Sequence, residues 1–185
     1  MVPVSKDVFV ARLPELVDIY IRAMRYNPVI TTGRIASWRD QVELPGWSAC
    51  LAIAHPPDEP AREALSKRHR QILGVTYGYT GHPGHWWYDQ VQDACPEPLP
   101  HFFEIAEVHC APQAQGFGIG KALVEKLCEN RTEKAALLST PEVADEANRA
   151  WHLYRSLGFQ DVLRDFHFRG DSRPFAVLGR PLPLQ

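Results

Sequence analysis

No stretch of this sequence holds the roughly 18 to 20 consecutive apolar residues that a bilayer-spanning helix needs; charged or polar residues interrupt every apolar run. No membrane-spanning helix is expected. An excess of one charge is missing too. The 20 basic and 22 acidic residues give a formal net charge of −2, so the basic footprint of a nucleic-acid binder or an anionic-membrane binder is absent. The four cysteines, Cys50, Cys95, Cys110 and Cys128, have no Cys-x-x-Cys spacing, which removes the usual zinc and dithiol motifs. Four free thiols fit a reducing compartment. Residues Met1 to Asp7 lack the charged-then-apolar layout of a secretory signal. A cytoplasmic protein is the expectation. There is no internal repeat and no low-complexity tract, and 185 residues suit one domain over 1–185 with a sizeable core.

What the chain does contain is an alternation of helix-like and strand-like segments. Leu16, Ile19, Tyr20 and Ala23 share one face of a helix over 13–24, with Pro14 in its first turn. A second helix is expected over 35–42, ended by Pro45-Gly46, and a strand over 47–55. The charged insertion 56–70 has room for an exposed helix over 61–69. A strand over 71–80 follows, its alternation imperfect around Gly74 and Gly78. Residues 81–101 read as a long loop, of the kind that compact domains usually keep for function. Strands over 102–110 and 135–139 and helices over 119–130 and 148–157 come next. A hairpin of 160–168 with 174–178 closes the chain around the Arg169-Gly170-Asp171-Ser172-Arg173 turn. The order predicts a mixed α/β fold with a mostly antiparallel central sheet and flanking helices.

Between the strand 102–110 and the helix that follows lies Gln115-Gly116-Phe117-Gly118-Ile119-Gly120-Lys121. Three glycines at alternate positions leave backbone N–H groups uncovered at a helix N-terminus, where orphan donors and aligned peptide dipoles favour a phosphate. Two familiar phosphate loops fail on spacing. A Walker loop needs Gly at position 115 and Ser or Thr at 122, where this chain has Gln and Ala. The dinucleotide fingerprint needs its third glycine one residue later and an acidic residue at the end of the next strand, where this chain has Ser139 and Thr140, with Glu142 beyond Pro141 a poor substitute.

The hexapeptide from Gln115 to Gly120 resembles the Gln-x-x-Gly-x-Gly pyrophosphate loop of the GNAT superfamily of N-acyltransferases. A second block, Asn148-Arg149-Ala150-Trp151-His152-Leu153-Tyr154-Arg155-Ser156-Leu157-Gly158-Phe159, is similar to that family's downstream helix. The resemblance is close over 103–159. It implies the GNAT fold and an N-acetyltransferase that moves an acetyl group from acetyl-CoA to a primary amine by direct transfer. The acceptor would be a small molecule or a peptide amine. An alternative of another class is a catalytically silent CoA-binding regulatory module.

The resemblance also implies roles for single residues. Gln115, Gly116, Phe117, Gly118, Ile119, Gly120 and Lys121 would hold the pyrophosphate, mainly through backbone N–H groups. The main chain of Val108, His109 and Cys110 would pair with the pantetheine arm, and Asn148 would bond the same arm. Tyr154 would meet the CoA sulfur. Glu104, eleven residues before Gln115, matches a strand glutamate that serves as base in one branch of the family, with Glu107 as the second candidate. Alternation along a strand points the two to opposite faces. Arg149, Arg155 and Lys121 are candidate phosphate partners. His82, His85, Asp89, His101 and His109 lack the spacing of a metal site, and no metal is expected. Trp86-Trp87-Tyr88 is either a wall of the acceptor site or a face that buries against a second copy in a homodimer.

Overall fold

The computed structural model of the chain describes residues 1–56, 59, 63 and 71–184. The helix expected over 61–69 falls, Glu63 apart, outside that set. Seven strands, β1 (Val2–Val4), β2 (Ser48–Ile53), β3 (Ile72–Thr80), β4 (Phe102–Cys110), β5 (Ala135–Pro141), β6 (Gln160–Phe166) and β7 (Phe175–Pro181), form one sheet in the order β1-β2-β3-β4-β5-β7-β6. Described helices are α1 (Lys6–Met24), α2 (Thr31–Gln41), α3 (Trp86–Ala94), α4 (Ile119–Cys128) and α5 (Arg149–Ser156). The fold is mixed α/β and the sheet mostly antiparallel, as the sequence order predicts. The parallel pair is β4 with β5, in register from Phe102↔Ala135 to Glu104↔Leu137. Among the described residues no helix is long and apolar enough to cross a membrane.

The chain divides into two compact units, one of Met1–Gly78 with Glu107–Leu127 and one of Tyr79–Ala106 with Cys128–Gln185. In the first, α1 begins at residue 6, earlier than its apolar stripe suggests, because the Ser5 hydroxyl accepts from the Val8 N–H at 3.4 Å. Pro14 therefore lies inside the helix rather than in its first turn. It stands on the exposed side, where the carbonyl that loses its N–H partner can turn to water. Phe9 packs against Trp38, Trp47 and Tyr77 at ring separations of 5.0 to 6.2 Å. The short strand β1, not foreseen from sequence, pairs antiparallel with β2 from Val2↔Leu51 to Val4↔Ala49. Gly74, which breaks the alternation of β3, is required by a close approach. A Cβ there would lie 2.9 Å from the His109 carbonyl oxygen and 3.0 Å from a Leu123 methyl. Leu123 of α4 thus reaches the sheet, packing with Cys50, Ala52, Leu73 and Cys110.

In the second unit, 81–101 is not the long loop expected. It contains α3, whose Trp87, Gln90 and Val91 are buried at i, i+3 and i+4. Trp87 and Val91 join Phe102, Leu137, Phe168 and Val177 in the core, so two of the three consecutive aromatics are packing residues. Tyr88 stacks on Phe102 at 5.7 Å, and Trp86 alone is exposed, its ring stacked on Phe168. Helix α5 starts at Asn148, whose side-chain oxygen accepts from the Trp151 N–H at 2.9 Å. Trp151 is fully buried, and the guanidinium groups of Arg155 and Arg164 each lie 5.0 Å from its ring.

One buried ion pair ties the end of β3 to the approach to β5. Glu133, 5 % exposed, accepts from the Thr80 hydroxyl at 2.7 Å and from Arg131 Nε at 3.0 Å. Burial works against its charge, but the Arg131 and Thr80 hydrogen bonds outweigh it and hold the carboxyl at about 2, below its ordinary 4.5. A carboxyl depressed on folding stabilises the native state above its unfolded pKa and loses that contribution as pH falls towards the folded value. Glu133→Gln should therefore cost about 2 kcal/mol of unfolding free energy near neutrality in urea titrations. Between pH 4.5 and 2 the variant should lose less stability than the parent, and parallel acid curves would contradict this account.

Candidate active site

The turn after β4 is set by a short 3₁₀ segment, Pro112–Ala114, closed by Ala114 N–H to the Ala111 carbonyl at 2.8 Å. The Gln115 amide donates to the Cys110 carbonyl at 3.2 Å. That bond spans the turn and fixes where the following backbone emerges. Gly116 and Gly118 have φ of +88° and +76°, a region open to glycine and strained for other residues. A Cβ built on either meets no atom within 4 Å. Positive φ therefore explains these glycines, and the space outside them is open to a ligand. Phe117 is 78 % exposed between them. Helix α4 begins at Ile119, with Ala122 N–H bonded to the Gly118 carbonyl at 3.1 Å. This arrangement fits a diphosphate: exposed main chain, no side chain over it, and a helix N-terminus behind.

The cations offered for the phosphates fare differently. Arg155 is committed elsewhere: it donates to Glu146 at 2.9 and 2.6 Å, to Asp161 at 2.5 Å and to the Phe159 carbonyl at 3.0 Å. Its position on the helix face next to the Glu146 and Asp161 carboxylates makes it a clamp for α5, which corrects the reading of Arg155 as a phosphate partner. Lys121 makes a loose i,i+4 pair with Glu125 at 3.9 Å. Asn148 spends its side-chain oxygen on the helix cap, which leaves its amide group as the donor.

Glu104 and Glu107, both on β4, meet contrasting surroundings. Glu107 Oε1 accepts from Trp38 Nε1 at 3.3 Å and lies 3.5 Å from Arg34, while Oε2 is 2.5 Å from His109 Nε2. Its own backbone carbonyl accepts from the Thr76 hydroxyl at 2.8 Å. His109 is itself wedged between Tyr20 and Trp38, and Arg34 covers the Tyr20 ring and donates to its hydroxyl at 2.8 Å. None of Tyr20, Arg34 or Trp38 is marked by any motif. Their common signal is helical spacing on α1 and α2, which reads as packing. Glu104 is 4 % exposed. Its Oε1 accepts from the Tyr79 hydroxyl at 2.9 Å and its Oε2 lies 3.9 Å from His85 Nδ1. Tyr79 is a partner that alternation along β3 alone could not single out.

Val108 and Cys110 lie at the end of β4 with His109. Burial raises the Cys110 thiol to about 11, so it stays protonated near neutrality and offers no nucleophile. Burial also raises Cys95. All four cysteines are free thiols. Tyr154 is 8 % exposed on the buried face of α5 with Trp151, and its ring meets Phe159 edge-on at 6.0 Å. Gly158, at φ +78°, ends that helix and turns the chain into β6. Among the described residues no three His, Cys, Asp or Glu side chains converge as a metal site.

Known proteins carry the same design. The acetyltransferase (GNAT) domain family matches residues 72–161. A GCN5-like protein acetyltransferase of Mycobacterium tuberculosis is 41% identical over 191 residues, which span 94% of this chain and 93% of that protein. Among solved structures, the histone acetyltransferase HPA2 and related acetyltransferase of Corynebacterium glutamicum superposes with a TM-score of 0.61 at 18% identity, over 100% of this chain and 96% of that one. The ribosomal-protein-alanine N-acetyltransferase of Brucella melitensis gives 0.59 at 18% identity, over 98% and 100%. yncA of Salmonella typhimurium, solved with its cofactor acetyl-CoA, gives 0.59 at 14% identity, over 100% and 95%. The structures speak for the fold, and the mycobacterial relative, alike along nearly its whole length, speaks for descent: this chain belongs to the GNAT superfamily and is an acyltransferase.

Proposed function

We propose that this enzyme acetylates primary amines of proteins or peptides, with acetyl-CoA as the acyl donor and direct transfer as the route. The observation that carries the reading is the open glycine turn at the head of α4, where Gly116 and Gly118 hold positive φ with nothing over them. The protein acceptor is supported by the mycobacterial relative, named a protein acetyltransferase and 41% identical to this chain. The two linked GNAT motifs, with Tyr154 and Glu104 both retained, speak for a working enzyme rather than a silent CoA-binding module.

In this reading the N–H groups of 115–121 bind the pyrophosphate, with Gln115 shaping the turn and Lys121 close by. The main chain of Val108, His109 and Cys110 and the amide of Asn148 serve the pantetheine arm. An amine of pKa ~10.4 is neutral in only about one molecule in 2,500 at pH 7, a deficit of roughly 4.6 kcal/mol. A base that takes the ammonium proton recovers part of that. Glu104 is the better candidate. Glu107 already shares its charge among Arg34, Trp38 and His109, so it acts as a support for β4. Tyr154 meets the leaving sulfur. Full proton donation from a phenol of pKa ~10 to a thiolate of pKa ~8.5 runs uphill by about 2 kcal/mol. The phenol therefore stabilises the thiolate chiefly by a hydrogen bond.

The direct test is release of CoA from acetyl-CoA across a panel of lysine peptides, polyamines, aminoglycosides and amino acids. Peptides should turn over best, and preference for a small amine would overturn the acceptor assignment. Gly118→Val should weaken acetyl-CoA binding in calorimetry by at least ~10-fold, since the new side chain projects into the space beside the turn and strains the backbone. Unaltered affinity would remove the pyrophosphate from that turn. Tyr154→Phe should lower kcat about tenfold with acetyl-CoA affinity unchanged. Glu104→Gln should lower kcat near neutrality and recover it as pH climbs towards the amine's own pKa. A pH–rate profile identical to the parent's would exclude Glu104 as the base.

A further inference from the structure

Glu104 is nearly sealed from solvent at 4 % exposure, so a proton it accepts has no immediate exit to water. Beside it stands an unusual pair. His85, the residue that precedes α3, points Nδ1 towards Glu104 Oε2 at 3.9 Å and packs edge-on against the Tyr79 ring at 5.0 Å. The His82 ring lies 5.8 Å from that of His85, centroid to centroid. His82 Nδ1 lies 2.9 Å from the Pro83 carbonyl, a contact that requires the proton on Nδ1 and leaves Nε2 as the acceptor. His82 Nε2 and His85 Nδ1 are both buried and make no hydrogen bond among the described residues. Leaving a buried polar nitrogen unsatisfied costs about 1 to 3 kcal/mol, and two such atoms side by side next to a buried carboxylate call for a cause beyond packing.

We propose that His85 and His82 form a two-imidazole relay that carries the acceptor's proton from Glu104 to solvent. The proposal rests on the reading of Glu104 as the base. The acceptor ammonium gives a proton to the Glu104 carboxylate, leaving a neutral amine and a carboxylic acid. The acid O–H passes its proton to His85 Nδ1, restoring the carboxylate, while the N–H on the far side of His85 gives its proton to His82 Nε2. The Nδ1 proton of His82 then leaves to water, which leaves both rings neutral in the opposite tautomers, and exchange of ring protons with water restores the starting ones. One proton enters and one leaves, and no electrons change hands.

The gap between His85 and Glu104 becomes an ordinary hydrogen bond after an approach of about 1 Å. The setting keeps the His85 ring ready to accept. Burial lowers the His85 pKa from its ordinary 6.5 and the neighbouring His82 lowers it further, against the opposing charge of Asp89. Asp89 is itself turned to the loop, accepting from the Gly84 N–H at 2.9 Å. On the other side the Tyr79 hydroxyl holds Glu104 Oε1, which leaves the Oε2 side facing the relay.

Two measurements on the intact protein decide the matter. In NMR titrations, Glu104→Gln should lower the His85 ring pKa by at least about half a unit, because a nearby anion is removed; an unmoved His85 titration overturns the relay, whatever the acceptor is. In kinetics with acetyl-CoA and a lysine peptide, His85→Ala should lose at least tenfold in kcat with unchanged acetyl-CoA affinity and melting temperature. Imidazole in the buffer should restore turnover, with a pH dependence that follows imidazole's own ionisation. Parent-like kcat, or a loss that imidazole does not repair in a folded variant, also overturns the proposal. Failure of the unaltered protein to bind acetyl-CoA strikes instead at the assignment of the glycine turn.

Discussion

The two carboxylates of β4 each depend on the partners that the rest of the chain brings to them. Glu104 and Glu107 stand three residues apart on that strand. Each collects its own surroundings. Around Glu107 these are Trp38, Arg34 and His109, and around Glu104 they are Tyr79 and His85. The first set is rich in donors and rigidified by rings on α1 and α2. The second pairs a carboxylate with one phenol and one imidazole. The same strand therefore carries a carboxylate that is locked and one that has a neighbour able to take a proton.

In the proposed reading the turn that follows β4 binds by its main chain. Arg155, one of the cations the sequence offered, is held by Glu146, Asp161 and the Phe159 carbonyl. In that reading the diphosphate falls to backbone N–H groups and the α4 dipole, with Lys121 as an adjacent cation. Such a site depends on φ at two glycines more than on any side chain. That is why Phe117 can stand 78 % exposed between them without obstructing the turn.

What was legible in the sequence is what short-range rules decide. β4 spans the 102–110 read from the sequence, α5 starts at its Asn148 cap, and the glycine turn falls between strand and helix as its spacing predicts. What was not legible depends on partners far along the chain. Pro14 pointed to a helix start, but the Ser5 cap and the buried stripe from Phe9 onward outweigh it, and the helix runs through the proline. Residues 81–101 looked like loop because prolines, glycines and histidines crowd its ends, yet Trp87, Gln90 and Val91 carry a helical stripe short enough to overlook. Trp38 reaches Glu107 across 69 residues and Tyr79 reaches Glu104 across 25. No local pattern announces such pairs.

The cysteine on β4 bears on the choice between direct transfer and an acyl-enzyme. A covalent route needs a thiolate, since the thiol is a poor nucleophile. Cys110 lies at the strand end beside the glycine turn, the position where a thiol nucleophile would be most useful. Burial holds it at about 11, so the thiolate fraction at pH 7 is on the order of one in ten thousand. Relative to an unperturbed thiol the loss is more than a hundredfold, and no cationic partner offsets it among the causes of its shift. On the proposed assignment the amine, by contrast, has a carboxylate at hand in Glu104 to take its proton. Deprotonation of the acceptor is then the energetic obstacle the site lowers, and the proposed relay that clears the proton from a sealed carboxylate matters more to turnover than any nucleophile on the enzyme.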